Sequence, residues 1–468
     1  MGRCEVGGSA GGFPRGRQKR GLWAQFQVEI GQEIETFLGK HSIQGIDFEA
    51  LETAARGQAL RLAARALEGW LNADTCDYVG PQLTCSCGRW AHYRGRHEKC
   101  FESVLGTLRL ERAYYYCEPC QGGFCPRDRA LGLEDFSLSP AVLRMVGSTA
   151  TLVSFLESSA LLQELAGVQV NPKQVERVAE ALGQEIAEDE RQTVEPVSDA
   201  PLPSTLYLGI DGTGIPMRSS ELVGRSGKQE DGSAKTREVK LVTVWSAEGK
   251  DEEGIPVRDP GSVSYSAAIE SAATHDTDPD YAEFTQRVQR EAIRRGFQQA
   301  PRTAVLGDGA VYIWNIAGEL FPEATQIVDR FHVKQHLSDA AKALYGPDRG
   351  QAKLWAHARY EELDEGRLHP LLEALQVHAA DCEEARKCYD YIKRNQHRMR
   401  YAEFHAHGLC TSTGVVEAGC KVAIGTRLKR SGMHWTTRGA NAIIALRCCK
   451  LSGRFEDFWE RRAVRRAA

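Results

Sequence analysis

The sequence predicts a multidomain α+β protein. N-terminal helices, a cysteine-bearing β module and a second helical module precede an α/β core that carries a helical insertion. Three observations predict it. Seven of the fourteen cysteines crowd into residues 76–125, between two helical stretches. Two apolar runs, 205–210 and 303–307, each end in Asp-Gly, at Asp211-Gly212 and Asp308-Gly309. A long charged helical stretch, 334–400, then separates these strands from a third acid, Glu417, set among small residues.

A chain of 468 residues has room for roughly two to four domains. Its 42% hydrophobic and 26% charged content is that of a globular protein and argues against disorder. No apolar run reaches the roughly 18 residues of a membrane helix, so no membrane partner is expected. The first 20 residues are rich in Gly and Arg and lack the apolar centre of a secretory signal. Residues 1–21 read as a disordered basic arm. A net charge of −4 argues against a basic protein that coats DNA by bulk charge and leaves any DNA binding to the distribution of charge over the surface.

Residues 22–75 form an N-terminal helical region. Ile30, Ile34, Phe37 and Leu38, then Leu51, Ala54, Leu60, Ala63 and Leu67, recur at helical spacing and serve core or dimer packing. Residues 76–130 change character. Cys85-Ser-Cys87 precedes β-like runs over 101–110 and 112–116, and Cys117-Glu-Pro-Cys120 follows. Short strands joined by cysteine-bearing turns make a zinc ribbon, with one structural Zn²⁺ on Cys85, Cys87, Cys117 and Cys120. Cys76, Cys100 and Cys125 read as core thiols. Arg89, Arg94, Arg96 and Arg112 suit a DNA backbone and equally suit an ordinary surface.

Residues 131–195 form a helical module. Ser139-Pro140 opens one helix, and residues 161–190 read as helix, turn and helix around Asn171-Pro172, the outline of a DNA-reading helix-turn-helix. Pro196, Pro201 and Pro203 mark a linker over 192–204. Residues 196–335 give the first part of the α/β core. Strands are expected at 206–211, 238–245, 262–267, 303–308 and 325–329, with helices at 281–296 and 312–320. Residues 336–405 are the helical insertion, and 406–468 the second part of the core, carrying Glu417.

Strand ends in an α/β sheet are where side chains leave the core and ligands gather. Two facing carboxylates repel unless a cation lies between them. Hard oxygen donors select Mg²⁺ or Mn²⁺. Two such ions about 3.5–4 Å apart clamp the attacking and leaving oxygens of a phosphodiester displacement. Asp211, Asp308 and Glu417 are therefore the candidate catalytic and metal-ligating residues. Either Asp-Gly alone is equally a turn; together with Glu417 they point to a site.

Further candidates flank the acids. Asp329 ends another strand and His332 follows one turn on, as support for the metal site, a phosphate contact, or a cap and a packed histidine. Lys421 lies one helical turn beyond Glu417. Arg427, Lys429 and Arg430 precede Trp435, offering cations for phosphates and an indole for an unpaired base, or else a solvated loop above a core tryptophan.

Several motifs resemble bacterial insertion-sequence transposases of the ISKra group. They are Cys-Ser-Cys-Gly-Arg-Trp-Ala-His-Tyr-Arg-Gly-Arg from Cys85, Glu-Arg-Ala-Tyr-Tyr-Tyr-Cys-Glu-Pro-Cys from Glu111 and Pro-Arg-Asp-Arg-Ala-Leu-Gly-Leu from Pro126. Asp211-Gly-Thr-Gly-Ile-Pro, Gly307-Asp-Gly-Ala, Asp329-Arg-Phe-His, Gly414-Val-Val-Glu and Arg430-Ser-Gly-Met-His-Trp continue the likeness, over roughly residues 80–455. The resemblance implies a ribonuclease H-like DDE core on the Mutator-like plan, with a helical insertion before the final Glu. It implies Asp211, Asp308 and Glu417 as ligands of two Mg²⁺ (or Mn²⁺) ions. The partners it implies are double-stranded DNA, both element terminal repeats and target, and a homodimer or larger assembly. The compartment is the bacterial cytoplasm, with the nucleoid. A transposase-derived regulator that binds without cutting, and a ribonuclease H-like nuclease that does not join strands, are the alternatives.

Overall fold

The computed structural model describes residues 47–194, 201–225, 227, 234–252, 254–271, 283–346 and 350–467, with scattered positions from 24 to 39. The basic arm and the centre of the proline-bearing linker lie outside these residues. The chain divides into two compact units, one ending at Val178 and rejoined from Trp459 onward, the other Ala179–Phe458.

In the first unit, helix α1 (Phe48–Ala73) starts where the Asp47 carboxylate accepts the Glu49 N–H at 3.1 Å. Its Ala64, Leu67 and Leu71 pack on Phe101, Leu108, Leu110 and Leu133. The β module is a four-stranded antiparallel sheet in sequential order: β1 (Gln82–Thr84), β2 (Trp90–Ser103), β3 (Gly106–Cys117) and β4 (Gly122–Phe124). The expected strand over 101–110 is in fact the end of β2, a tight turn and the start of β3. Gly106 takes φ 107°, and the Ser103 hydroxyl accepts the Leu105 N–H while donating to the Gly106 carbonyl.

Two of the four arginines expected on the ribbon surface are structural. Arg112 is buried and paired with Asp128, and Arg96 meets the buried Asp77 at 3.1 Å. Asp77 also accepts the Ala113 N–H and pairs with Arg127 at 3.3 Å, so its charge is compensated.

Helices α2 (Pro126–Leu131) and α3 (Pro140–Ala150) follow, the latter capped by Ser139. Helix α4 (Phe155–Leu161) opens with a Ser154/Glu157 capping box and runs into a π-turn, Leu162–Ala166, ended by Gly167 at φ 71°. Helix α5 (Pro172–Gln192) begins where Asn171 accepts the Gln174 N–H at 2.9 Å. Its start belongs to the first unit and its remainder to the second.

The second unit is built on a five-stranded mixed sheet. Its strands are β5 (Thr205–Pro216), β6 (Thr236–Ser246), β9 (Ser264–Ala268), β10 (Arg302–Gly307) and β11 (Thr325–Val328), in the order β11-β10-β5-β6-β9; a two-stranded ribbon, β7 (Gly249–Lys250) and β8 (Pro256–Val257), stands apart. Strands β5, β6 and β9 are antiparallel neighbours, whereas β10 and β11 run parallel to β5. Antiparallel strands need only short connections. The parallel ones are reached by crossover helices, α6 (Glu283–Arg294) before β10 and α7 (Val311–Leu320) before β11. Leu206, Leu208, Val244, Val305, Leu306 and Ile327 are fully buried, as expected for strands covered on both faces.

Five helices follow among the described residues of this stretch: α8 (Arg330–Tyr345), α9 (Gly350–Asp364), α10 (Leu368–Gln376), α11 (Glu383–Asn395) and α12 (Tyr401–Ala406). Leu337, Leu371, Leu375, Ile392 and Phe404 join the same core as the sheet. The chain returns through α13 (Gly414–Gly419), which continues as a π-turn, Cys420–Gly425. Then come α14 (Thr437–Leu451) and α15 (Phe455–Ala467). A buried ionic cluster ties the last elements to α6. Glu291, fully buried, accepts from Arg454 at 2.9 Å and Arg294 at 3.0 Å.

Candidate functional site

The parallel strands end level with one another. Ile210 is the last β5 residue paired with β10, opposite Gly307, and Gly307 in turn faces Val328 of β11. The residues that follow are Asp211, Asp308 and Asp329. Neighbouring strands lie about 4.8 Å apart, so these three residues stand next to one another at the C-terminal ends of the parallel strands. Asp211 does not end its strand, as the sequence reading expected. β5 continues to Pro216 against β6, and Asp211 pairs with Leu241. Gly212 and Gly214 are needed there for room. A Cβ at Gly212 would meet the Glu238 carboxylate at 2.3 Å, and one at Gly214 the Thr236 hydroxyl at 2.9 Å.

Helix α13 lies across this sheet and brings Glu417. Its fit depends on small residues on both sides. A Cβ at Gly209 would stand 2.1 Å from Val416, and one at Gly419 would touch Leu241 and Tyr265 at 3.0 Å. The Cys420 thiol, one helical turn beyond Glu417, donates to Asp211 Oδ2 at 3.3 Å. The Gly212 N–H donates to Asp211 Oδ1 at 2.7 Å. Burial holds the Asp211 carboxyl above the usual carboxylate range; those two bonds oppose the shift and the negative charge of Asp308 adds to it. The Cys420 thiol is pushed up as well, by burial first and then by Asp211.

Asp308 is fixed through its own backbone. Its Oδ1 accepts the Ala310 N–H at 2.9 Å, and its carbonyl accepts the Tyr391 hydroxyl at 2.6 Å. Gly309, at φ 95°, is pressed by the Tyr391 ring at 2.5 Å from where a Cβ would lie. His336 packs against that ring at 4.4 Å between centroids, tilted by 37°.

Asp329 is fully buried and committed. Its Oδ1 caps α8 by accepting the Phe331 N–H at 2.8 Å, and its Oδ2 accepts the hydroxyl of Thr413, the residue before α13. It therefore couples the end of β11 to the start of the Glu417 helix. His332 Nε2 stands 3.6 Å from Glu417 Oε1 and 3.9 Å from Asp329 Oδ2. One donor atom from each of Asp329, His332 and Glu417 falls within 4.8 Å of the others, a group able to hold a metal ion. Asp211 and Asp308 lie outside that group; they carry hard oxygen donors, and the Asp308 charge that helps raise the Asp211 carboxyl is one a cation would offset.

The basic segment departs from expectation. Trp435 is buried, its indole N–H donating to the Leu428 carbonyl at 2.9 Å, so it does not present a face to an unpaired base. Arg427 is also fully buried and lies over that indole at 5.3 Å. These two residues shape the loop instead of contacting a strand. Lys429 is exposed and donates to the Thr213 hydroxyl on the extended end of β5; Arg430 and Lys421 are exposed as well. Sequence reasoning missed Cys420 and Tyr391. Only Cys420, three residues past Glu417, left a helical-spacing signal.

In the first unit, all four ribbon thiols converge. Cys85 and Cys120 sulfurs are 3.8 Å apart, Cys87 and Cys117 3.7 Å, and all four lie within 4.8 Å of one another. Gly88 at φ 79° and Gln121 at φ 49° make the two turns. The Cys87 backbone N–H holds the Cys85 thiol down at about 6, while hydrogen bonds with the other three thiols push Cys120 up to about 12. The group can hold one tetrahedral ion. No helix among the described residues is long and apolar enough to cross a membrane.

A Streptococcus gallolyticus protein, "UPF0236 protein in vanSb 3'region", is 24% identical over 351 residues, covering 72% of this chain and 69% of its own length. The solved "Drosophila P element transposase strand transfer complex" covers 72% of this chain and 84% of its own at 10% identity. Its TM-score of 0.25 is too low to carry an inference. The family model described as "Uncharacterised protein family (UPF0236)" matches residues 86–465, most of the sequence, and the chain belongs to that family.

Proposed function

We propose that the chain is a DDE transposase, cutting DNA at the ends of an insertion sequence and joining the freed 3′-hydroxyl to target DNA. One observation carries the reading. Asp211 and Asp308 follow the last paired residues of adjacent parallel strands, and Glu417 rides on the helix packed over Gly209 of the same β5. The strand order, three antiparallel and two parallel, and the helices between the second and third acids support a ribonuclease H-like core with an insertion. The motifs shared with the ISKra group point the same way.

Asp211, Asp308 and Glu417 are the residues that would hold two Mg²⁺ or Mn²⁺ ions. When bound, such ions activate a water or a 3′-hydroxyl and stabilise the leaving oxygen. The chain's own residues set the geometry. Gly212 and Cys420 orient the Asp211 carboxylate, Ala310 and Tyr391 fix Asp308, and Asp329 with Thr413 anchors the Glu417 helix. Lys421, Lys429 and Arg430, exposed on the same segment, meet DNA phosphates. The Cys85/Cys87/Cys117/Cys120 ribbon takes one structural Zn²⁺, and the first unit binds terminal repeats. A homodimer or larger assembly holds the two ends, in the bacterial cytoplasm with the nucleoid.

The test is incubation of the protein with labelled element ends, Mg²⁺ and a target plasmid. Joined products support transposition. Nicks without joining would replace the reading by a nuclease, and binding without cleavage by a regulator.

A further inference from the structure

We propose that His332 Nε2 and Glu417 Oε1 form a nitrogen–oxygen cation position that takes Mn²⁺ in preference to Mg²⁺. The inference deepens the reading above and rests on it for the role of Glu417. Its warrant is geometric. The 3.6 Å between the two atoms exceeds a hydrogen bond, which for N–H···O spans about 2.7–3.2 Å. Donors that each stand about 2.1 Å from one shared ion lie about 3–3.6 Å apart. The pair has the spacing of two ligands.

Asp329 is the third group facing the imidazole, at 3.9 Å, and its oxygens accept from Phe331 and Thr413. Each oxygen keeps a further lone pair, so Asp329 supports the position and belongs to the same group of three donors. His332 and Glu417 are each about one-third exposed, 31% and 34%, so an ion reaches them from solvent while their neighbours hold them still. Helix α8, capped by Asp329, sets His332; helix α13, tied to the same carboxylate through Thr413, sets Glu417. One buried acid thus places both ligands.

The donor types decide the metal. Asp211 and Asp308 offer oxygen alone, which Mg²⁺ accepts. An imidazole nitrogen suits Mn²⁺ and other transition ions better than Mg²⁺, which dehydrates reluctantly and prefers oxygen. The two halves of the site are therefore chemically unequal, and the half containing Glu417 discriminates.

The experiment uses the full chain with its ribbon loaded with Zn²⁺, titrated with Mn²⁺ and followed by electron paramagnetic resonance. Bound Mn²⁺ should show spin-echo modulation from a directly coordinated nitrogen. His332→Ala should abolish that modulation and weaken Mn²⁺ binding about tenfold or more, while Mg²⁺ affinity, read by competition, changes by less than about threefold. Bound Mn²⁺ without nitrogen coupling in the wild type would overturn the proposal, as would unchanged Mn²⁺ affinity in a folded His332→Ala. Should that variant not fold, the wild-type spectrum decides alone. Nitrogen coupling in a protein that joins no DNA ends would refute the transposase reading and leave this one; end joining without coupling would do the reverse.

Discussion

Gly209→Ala tests whether the helix carrying Glu417 must lie flat on the strand carrying Asp211. The added methyl would stand 2.1 Å from Val416 Cγ2, 2.9 Å from Trp245 and 3.1 Å from the Thr243 hydroxyl. Ordinary contact begins near 3.4 Å, so Val416 has to retreat by about 1.3 Å. The sheet is paired on both sides and cannot give, so α13 moves. Overpacking of this kind costs about 1–3 kcal/mol, which urea unfolding measures. A displacement near 1 Å at a catalytic group costs about 10²-fold in rate, which Mg²⁺-dependent cutting of labelled ends measures. Adding Val416→Ala removes the closest clash and should restore more than about tenfold of the rate, although Trp245 still crowds the site. A Gly209→Ala protein as stable and as active as wild type would refute the packing argument. So would a double variant no better than the single one.

The Asp211 carboxyl titrates above its unfolded value because it is buried near Asp308. Its contribution to stability is complete at pH below the unfolded value and is lost as pH rises through the folded one. Metal-free Asp211→Asn should therefore melt above the metal-free wild type at neutral pH, with the gap closing as pH falls, while gaining less from added Mg²⁺; differential scanning calorimetry reads both. Metal analysis should find about one Zn²⁺ per chain, lost in Cys117→Ser/Cys120→Ser; a folded, zinc-free wild type would contradict the ribbon. Arg454→Ala should cost about 3–5 kcal/mol in urea unfolding, since it leaves Glu291 buried with one partner fewer; a loss under about 1 kcal/mol would mean that Arg294 alone suffices.

Much of this architecture was legible because it rests on local pattern. Apolar runs bounded by Gly and Pro placed the sheet strands to within a few residues, and cysteine spacing placed the ribbon. What escaped depends on contacts between distant segments. Gly212-Thr-Gly214 reads as a turn in isolation; it is a strand because Glu238 and Thr236 cross over those glycines. Trp435 beside three cations reads as a stacking residue; it is buried because Leu428 and Arg427 close over it. Residues 101–110 read as one strand because nothing in an apolar alternation reveals that Ser103 and Gly106 turn the chain. The π-turn after Glu417 has no sequence signature, yet it begins at the Cys420 that meets Asp211. Asp329 stood out as a strand-end acid, but only its two bonds disclose that it anchors other residues.

The central claim is that Asp211, Asp308 and Glu417 share divalent cations. Anomalous scattering from crystals grown with Mn²⁺ measures this directly. The account predicts manganese peaks within coordination distance of all three carboxylates, the one at Asp211 and Asp308 lost in Asp211→Asn. Crystals saturated with Mn²⁺ that show no peak among these side chains would contradict it.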